Sequence, residues 1–454
     1  MAMLGKRRPS ARKVAPRRQS SPVASSTDDS PGIEVVRLAH DGRGVARNAE
    51  GKTLFIDRAL PGERVDVAVH RSRKRYDEGH VRAWRVMSSE RVEAFCPHYE
   101  RCGGCDLQHL ALDAQRHHKT QVLVEQLARQ GVSLPGEPSL LSSAGQGYRR
   151  RARIGVKVDA QGRVHVGFRE RSSHHLVDID SCPILVPVLE ALLPELRECL
   201  ERLQSPRLVG HVELVAGDRQ AAVVIRQLRD DPADWQRWQA WATEQEVGLA
   251  RLVGRNEPRL EWFGKAPDLS YTLKSNGHSL RLSFLPGDFL QVNAEVNQQM
   301  VSLALDWLQP AGSDRVLDLF AGVGNFTLAL APHVAQVIGI EGSPDMVTRL
   351  KDNAQGNDLH NVEARQADLG QAPGLEPLPD LVVLDPPRDG AEAVCRALGQ
   401  APVSRILYVS CDPATLARDA AQLVHAGYRI THAAVADMFA QTAHLESMLL
   451  FERG

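Results

Sequence analysis

The 454-residue sequence predicts an α/β protein: a doubly wound, largely parallel sheet at the C-terminal end, a small β-barrel near the front and an α+β region between them. From residue 286 onward, apolar strand-like runs alternate with helical patterns, the mark of a sheet covered on both faces. Over residues 31–88, short alternating segments are instead punctuated by Gly and Pro, as in a small closed sheet. Charge is unevenly shared as well. Lys plus Arg against Asp plus Glu count 20 against 13 in residues 1–100 but 10 against 19 in residues 301–454. The front therefore attracts polyanions and the back does not, which fits a nucleic-acid-binding front joined to a catalytic back; ordinary solvated surface charge is the plainer reading.

Composition narrows the class further. No apolar run approaches the ~20 residues that span a bilayer, and no signal-like core follows the basic start, so no membrane role is expected. Seven cysteines is an odd number and small for this length, which argues against a secreted disulfide framework and for a soluble protein of a reducing, cytoplasmic compartment.

Residues 1–30 carry seven Lys or Arg before the first acid, Asp28, and read as a disordered basic tail able to add salt-sensitive phosphate contacts. Pro9, Pro16 and Pro22 count against a transit helix. In residues 31–88 the segments "IEVVRLAHDGRGVAR", "KTLFIDRAL" and "PGERVDVAV" are separated by Gly42 and Gly44 and by Pro61-Gly62. Arg71, Arg73, Lys74 and Arg75 are candidates for phosphate contacts and Tyr76 for stacking on a base, against the alternative of a charged hairpin.

Residues 89–285 mix helices such as "DAQRHHKTQVLVEQLARQG" with strands such as "HVELVAG". In "YRRRARIGVKV", alternation predicts that Tyr148, Arg149, Arg151 and Arg153 share one strand face as a positive row suited to single-stranded RNA; an exposed charged strand is the other reading. "FCPHYERCGGC" places Cys96, Cys102 and Cys105 in a C-x5-C-x2-C pattern, and "DIDSCPIL" adds Cys182. Four thiolates suit either a tetrahedral metal or an iron–sulfur cluster, and spacing alone does not choose between them. Cys199 and Cys395 lie in apolar helical stripes and read as core thiols.

In residues 286–454, "RVLDLFAGVGNFTLALA" reads as strand, Gly-rich turn and helix, with Gly322 and Gly324 permitting close backbone approach to a ligand. "QVIGIE" ends at Glu341, where a carboxylate could grip ribose hydroxyls. A dinucleotide-binding enzyme would show much the same, but the third glycine of G-x-G-x-x-G is missing. Further strands end at Asp385 in "LVVLDPPRDG" and at Cys411 in "ILYVSCDPATLARD". Asp318, Glu341, Asp385 and Cys411 should therefore line one crevice at the carboxyl edge of the sheet. Taken alone, Cys411 is either a packed thiol or a nucleophile.

Two resemblances sharpen the reading. The "DGRGVAR" and "ALPGERV" stretches resemble a TRAM domain, an OB-like RNA-binding barrel. "DLFAGVGNFTLALA", "DPPRDG", "YVSCDPATLARD" and "HLESMLLF" resemble, in order and spacing, the S-adenosylmethionine-dependent RNA uracil-C5 methyltransferases, over nearly the whole chain after the tail. This resemblance implies a Rossmann-like methyltransferase domain over residues 286–454 in which Gln291, Phe320, Asn325, Glu341, Asp368 and Asp385 surround S-adenosylmethionine. It implies a [4Fe-4S] cluster on Cys96, Cys102, Cys105 and Cys182. It also implies that Cys411 adds to C6 of uracil and that Glu446 removes the C5 proton as general base. A TRAM-like front together with four cysteines resembles the branch that modifies 23S ribosomal RNA; separately, a monomer is expected, although the sequence says little about oligomeric state. The rival readings are a tRNA uracil-C5 methyltransferase, an amine-directed RNA methyltransferase in which Cys411 is structural, and a non-catalytic RNA-binding protein.

Overall fold

The computed structural model describes residues 32–453 except 172, 256–257 and 372–373; the basic tail expected over 1–30 lies outside the described residues. At the front, strands Ile33–Leu38, Gly44–Arg47, Thr53–Asp57, Arg64–Ser72 and Tyr76–Val86 close into a barrel. Alternation turns Val35, Ala46, Leu54, Ile56 and Val65 into its interior. Gly44 is required there, because a Cβ would lie 2.7 Å from the Ala59 carbonyl oxygen. Residues 71–75 form an exposed charged turn, but Tyr76 is only partly exposed and packs edge-on against Phe55 at 5.4 Å.

The central part is a seven-stranded sheet built mainly from Arg151–Val158, Val164–Arg169, Val209–Ala216, Ala221–Gln227 and Gly248–Val253. The expected row of arginines is broken up here. The strand begins only at Arg151; Tyr148 is buried before it and donates to the Ala440 carbonyl at 2.8 Å, while Arg151 is neutralised by Glu213 at 2.6 Å. Arg153 alone of the four stands well out in solvent. Alternation was read correctly from the strand, but the partner strand carries Glu213, which the row's own sequence does not contain.

The C-terminal sheet has eight strands, in the order Val362–Gln366, Gln336–Glu341, Arg315–Leu319, Leu381–Leu384, Arg405–Ser410, Glu446–Arg453, Tyr428–Ala436 and Ser139–Leu141. The first five run parallel, so their carboxyl ends share one edge. Glu446–Arg453 is antiparallel to both of its neighbours, which brings its first residue to that same edge. Alternate side chains of these strands feed two separate apolar cores: Val316, Val383 and Val409 on one face, Leu317, Leu384 and Tyr408 on the other. Such double burial is why "LVVL" is apolar at every position.

Helices Ala294–Leu308 and Asn325–Leu330 contribute Val296, Met300 and Leu328 to the first core, and Glu392–Gln400 and Pro413–His425 contribute Val394 and Leu416 to the second. Two elements come from far away in sequence. The helix Leu112–Arg129 packs on Pro413–His425 through Leu123 and Leu127, and the short strand Ser139–Leu141 extends the sheet beside Ala434–Ala436. The helix is also anchored by charge: Lys119, buried, donates to Asp437 at 2.7 Å and to the Phe439 carbonyl at 3.0 Å. No helix among the described residues is long and apolar enough to cross a membrane.

Candidate active site

Pairing register determines which side chains meet at the carboxyl edge. Leu319 is opposite both Ile340 and Leu384, so the next rung carries Phe320, Glu341 and Asp385 side by side. One strand further on, Ser410 is opposite Ser447 in an antiparallel pair, so Cys411 and Glu446 face each other just past the last paired rung. A cavity of about 620 Å³ opens above this edge and is lined by Gln291, Phe320, Glu341, Asp368, Asp385, Cys411 and Glu446.

The cofactor-side wall is built by the Gly-rich turn. Phe320, Gly322 and Gly324 all take positive φ, 66°, 55° and 103°, and fold the backbone back from the strand into the helix Asn325–Leu330. A Cβ on Gly322 would meet nothing within 4 Å, so its backbone faces open cavity. The Glu341 carboxylate accepts from the Gly322 amide at 3.1 Å and from the Ser343 amide at 2.9 Å, which fixes it at the strand end with capacity left for further donors. This is a fit for a ribose bearing adjacent hydroxyls.

Two expected members are placed elsewhere. Asn325 does not line the cavity; it is locked to Asn297 by reciprocal amide bonds of 2.9 Å. Asp318 is buried behind the turn, where it accepts from the Thr327 hydroxyl, and burial raises its pKa to about 7. Its side chain shares the strand face of Val316, whereas Phe320, two residues on and just past the strand with φ of 66°, turns to pack against the opposite core.

The reaction-side wall is electrostatically tense. Burial raises the Cys411 thiol to about 11, and the neighbouring Glu446 and Asp385 carboxylates push in the same direction, while the Arg388 guanidinium opposes them. Glu446 is only 4% exposed. Burial lifts it well above the usual carboxylate range, reinforced by Asp385 and opposed by Arg388. Burial likewise raises Asp385, with Asp318 adding to the shift. A carboxyl group that gains basicity next to a thiol and below an open cavity is equipped for proton transfer.

Sequence reasoning missed four members of this wall: Phe289, Arg388, Phe439 and His444. Arg388 and His444 sit inside the quoted "DPPRDG" and "HLESM" stretches, so a signal was present. Phe289 stands two residues before Gln291 and is 59% exposed, an apolar side chain left in the open beside a cavity. Phe439 belongs to a connecting turn and carried no pattern at all.

The four cysteines converge on a second cavity of about 440 Å³, which shares Arg388, Phe439 and His444 with the first. The turn bearing Cys102 and Cys105 is fastened to the end of Val164–Arg169, with the Gly103 amide donating to the Arg169 carbonyl at 2.9 Å. A Cβ at Gly103 would lie 2.9 Å from that same oxygen, so the close approach depends on glycine. Burial raises Cys105 and Cys182 to about 12, and the other thiols of the set push them the same way. Among the described residues, no three His, Cys, Asp or Glu side chains are gathered closely enough to hold one metal ion. The residues thus offer four soft sulfur donors around one cavity.

Comparison with known proteins places these features in context. The sequence profile of the tRNA (uracil-5-)-methyltransferase family matches residues 111–368 and 378–454, and that of the TRAM domain matches residues 33–81. The chain is 57% identical to the 23S rRNA (uracil(1939)-C(5))-methyltransferase RlmD of Chromohalobacter salexigens, covering all of this chain and 96% of the relative. It is 54% identical to the RlmD of Halomonas elongata, again over all of this chain and 97% of the relative. In three dimensions it is similar to the Pyrococcus abyssi tRNA (uracil-54, C5)-methyltransferase crystallised with S-adenosyl-L-homocysteine, with a TM-score of 0.73, 24% identity, and coverage of 93% of this chain and 100% of that one.

Proposed function

The chain belongs to the tRNA (uracil-5-)-methyltransferase family, and on that premise we propose that it transfers the methyl group of S-adenosylmethionine to C5 of a uridine in 23S ribosomal RNA, giving 5-methyluridine in the cytoplasm. The ribosomal substrate is supported by the full-length likeness to relatives named for 23S rRNA, and the TRAM barrel gives the front a means of holding RNA. The single observation that carries the chemical reading is the facing pair Cys411 and Glu446, set at one end of a cavity whose other end is formed by Phe320 and Glu341.

C5 of uracil is a weak nucleophile, so the chain's own groups must activate it. Cys411, once ionised, adds its sulfur to C6; the C5–C6 electron pair moves into the ring as an enolate and makes C5 able to attack. After methylation C5 still carries its proton. Glu446 removes it, the electron pair re-forms the C5–C6 double bond, and the bond to Cys411 breaks to return the thiolate. When bound, S-adenosylmethionine supplies the electrophilic methyl and a positive charge that acts on Cys411 in the same sense as Arg388. Glu341 is assigned to the ribose, Gln291, Phe320, Asp368 and Asp385 to the remainder of the cofactor-side wall, and Asn325 to shaping the turn.

We assign Cys96, Cys102, Cys105 and Cys182 to a [4Fe-4S] cluster, which would take four thiolates and no other side chain. All four thiols line one cavity of about 440 Å³, which supports a single group held between them. Iron and sulfide analysis of anaerobically purified protein tests this; zinc in equimolar amount without iron overturns it.

The enzymatic reading is tested by substitution. Cys411→Ala is expected to abolish methyl transfer to ribosomal RNA while cofactor binding survives, and retained turnover rules out the covalent route. Glu446→Gln is expected to accumulate a denaturation-resistant protein–RNA adduct. RNA containing 5-fluorouracil separates the amine-directed alternative, since only attack at C6 leaves a stalled covalent complex.

A further inference from the structure

The connection 437–445 joins the strand Tyr428–Ala436 to Glu446, and two of its residues, Phe439 and His444, line the active-site cavity together with that base. Pairing with Ala436, and of the next residue Ser447 with Ser410, sets the backbone of Glu446. The sheet does not set the connection: among the described residues, no strand pairs with 438–445.

Its position comes instead from the front half of the chain, and most of the bonds meet at one residue. The Gln441 carbonyl accepts from the Asp106 and Leu107 amides at 2.9 and 3.0 Å, the two amides that directly follow Cys105. The Gln441 amide donates to the Gln115 side-chain oxygen at 3.1 Å. In return Gln115 Nε2 donates to Gln441 Oε1 at 3.0 Å, and Gln441 Nε2 donates to the Gly145 carbonyl at 3.4 Å. Every polar group of Gln441 is thus engaged by the front half, and none by the methyltransferase sheet that carries it.

The surroundings are shaped for this side chain. Gln441 is 5% exposed, and a Cβ on Gly145 would stand 2.7 Å from its Nε2, so the fit depends on glycine there. The backbone points the same way. Gln441 has φ of 69°, a left-handed conformation that glycine adopts freely and a side chain opposes. A side chain held in that conformation and bonded at both ends indicates a use for the side chain itself.

Resting on the catalytic reading proposed above, we infer that Gln441 is a positioning residue: it ties the connection to the turn that bears Cys102 and Cys105, and so holds Phe439 and His444 where they keep the methylated uracil against Glu446 for removal of its C5 proton. The earlier steps make less use of this wall. Cys411 follows a different strand, Arg405–Ser410, and Phe320 and Glu341 stand at the cofactor end of the cavity.

The test uses the full chain, S-adenosylmethionine and a 23S rRNA fragment bearing the target uridine. Glycine suits the left-handed backbone, so Gln441→Gly removes the side-chain bonds without adding strain. Its kcat is expected to fall roughly 10- to 100-fold and its KM for the RNA to fall with it, leaving kcat/KM as in the wild type, because proton removal comes after the irreversible methyl transfer. A methylated, denaturation-resistant protein–RNA adduct is expected to build up during turnover. An unchanged kcat overturns the positioning role, and so does a parallel fall in kcat and kcat/KM without the adduct, which places the loss before C5 is methylated. Should Gln441→Gly fail to fold, Gln115→Met breaks the same bonds from the helix Leu112–Arg129 and is read by the same criteria. Methyl transfer by the wild type with no adduct in the variant defeats the positioning role alone, whereas wild type that binds both RNA and S-adenosylmethionine without methyl transfer defeats the enzymatic reading on which it rests.

Discussion

Glu446 is a carboxyl group whose ionisation the fold opposes, and this has consequences for both rate and stability. Its folded pKa is raised by burial and by Asp385, so its ionisation costs the folded state more than the unfolded one. The stability it leaves intact at low pH is therefore fully present below the unfolded value of about 4.3 and is lost as pH rises through the folded value. We expect the difference in melting temperature between Glu446→Gln and the wild type to grow in favour of the variant as pH rises from 5 to 8, and the variant to be the more stable protein at pH 8. A Gln variant less stable than wild type at pH 8 would contradict this. The rate has the opposite dependence. Both the ionised base and the Cys411 thiolate become more abundant as pH rises, the latter toward a value of about 11, so methyl transfer should climb through neutrality. Loss of the base should slow turnover on the order of 10² to 10⁴. At this scale much was legible, because Cys411, Glu446 and Asp385 each close or open an apolar run. Asn325 was less so: its place at the start of a helix suggested a ligand contact, and its reciprocal pairing with Asn297 depends on a residue 28 positions away.

Among the elements, the helix Leu112–Arg129 shows what a sequence pattern conveys and what it omits. Its apolar positions Leu123 and Leu127 announce a buried face, yet nothing in a helical stripe names the surface it covers. That surface is Pro413–His425, some 300 residues later. Lys119 adds a buried ion pair with Asp437, and both side chains are 1% exposed. Removing one partner of such a pair leaves the other charge uncompensated. Lys119→Met is therefore expected to cost about 3 kcal/mol, the lower end of the range for breaking buried pairs, because Arg116 still reaches Asp437 at 3.1 Å. Urea unfolding measures it, and a midpoint unchanged from wild type would show the pair to be dispensable. Because Lys119 also holds the Phe439 carbonyl, and Phe439 lines both the cysteine cavity and the active-site cavity, the variant should lose activity before it loses structure.

For the whole molecule, the order of the chain and the order of the sheet differ. The alternating pattern after residue 286 revealed a parallel sheet but not its eighth strand, since Ser139–Leu141 has only three residues and no alternation to detect. A fragment of residues 286–454 would lack this strand and the covering helix, and would expose the apolar surface that Leu123 and Leu127 bury. We expect that fragment to aggregate or to unfold without a cooperative transition, and residues 111–454 to be markedly better behaved; a sharp melt of the shorter fragment by circular dichroism would refute this. The barrel, by contrast, was readable as a set of consecutive short strands whose early turns carry glycine, though not in its closure, where Thr53–Asp57 pairs in parallel with Tyr76–Val86 across the intervening strand.

The facing of Cys411 and Glu446 also has a meaning for variation. Their separation is set by the backbone pairing of Ser410 with Ser447, to which the Ser447 hydroxyl adds a bond to the Ser410 carbonyl at 3.3 Å. The sheet acts as a ruler with a pitch of two residues: inserting one residue between Glu446 and Ser447 would turn the Glu446 side chain to the far face, and inserting two would carry it a full repeat out of reach. Length changes are thus forbidden at that junction and along the paired strand, whereas one in the connection before Glu446 leaves this register intact, so indels should be absent from Glu446 onward through the strand while point changes along it remain open to drift.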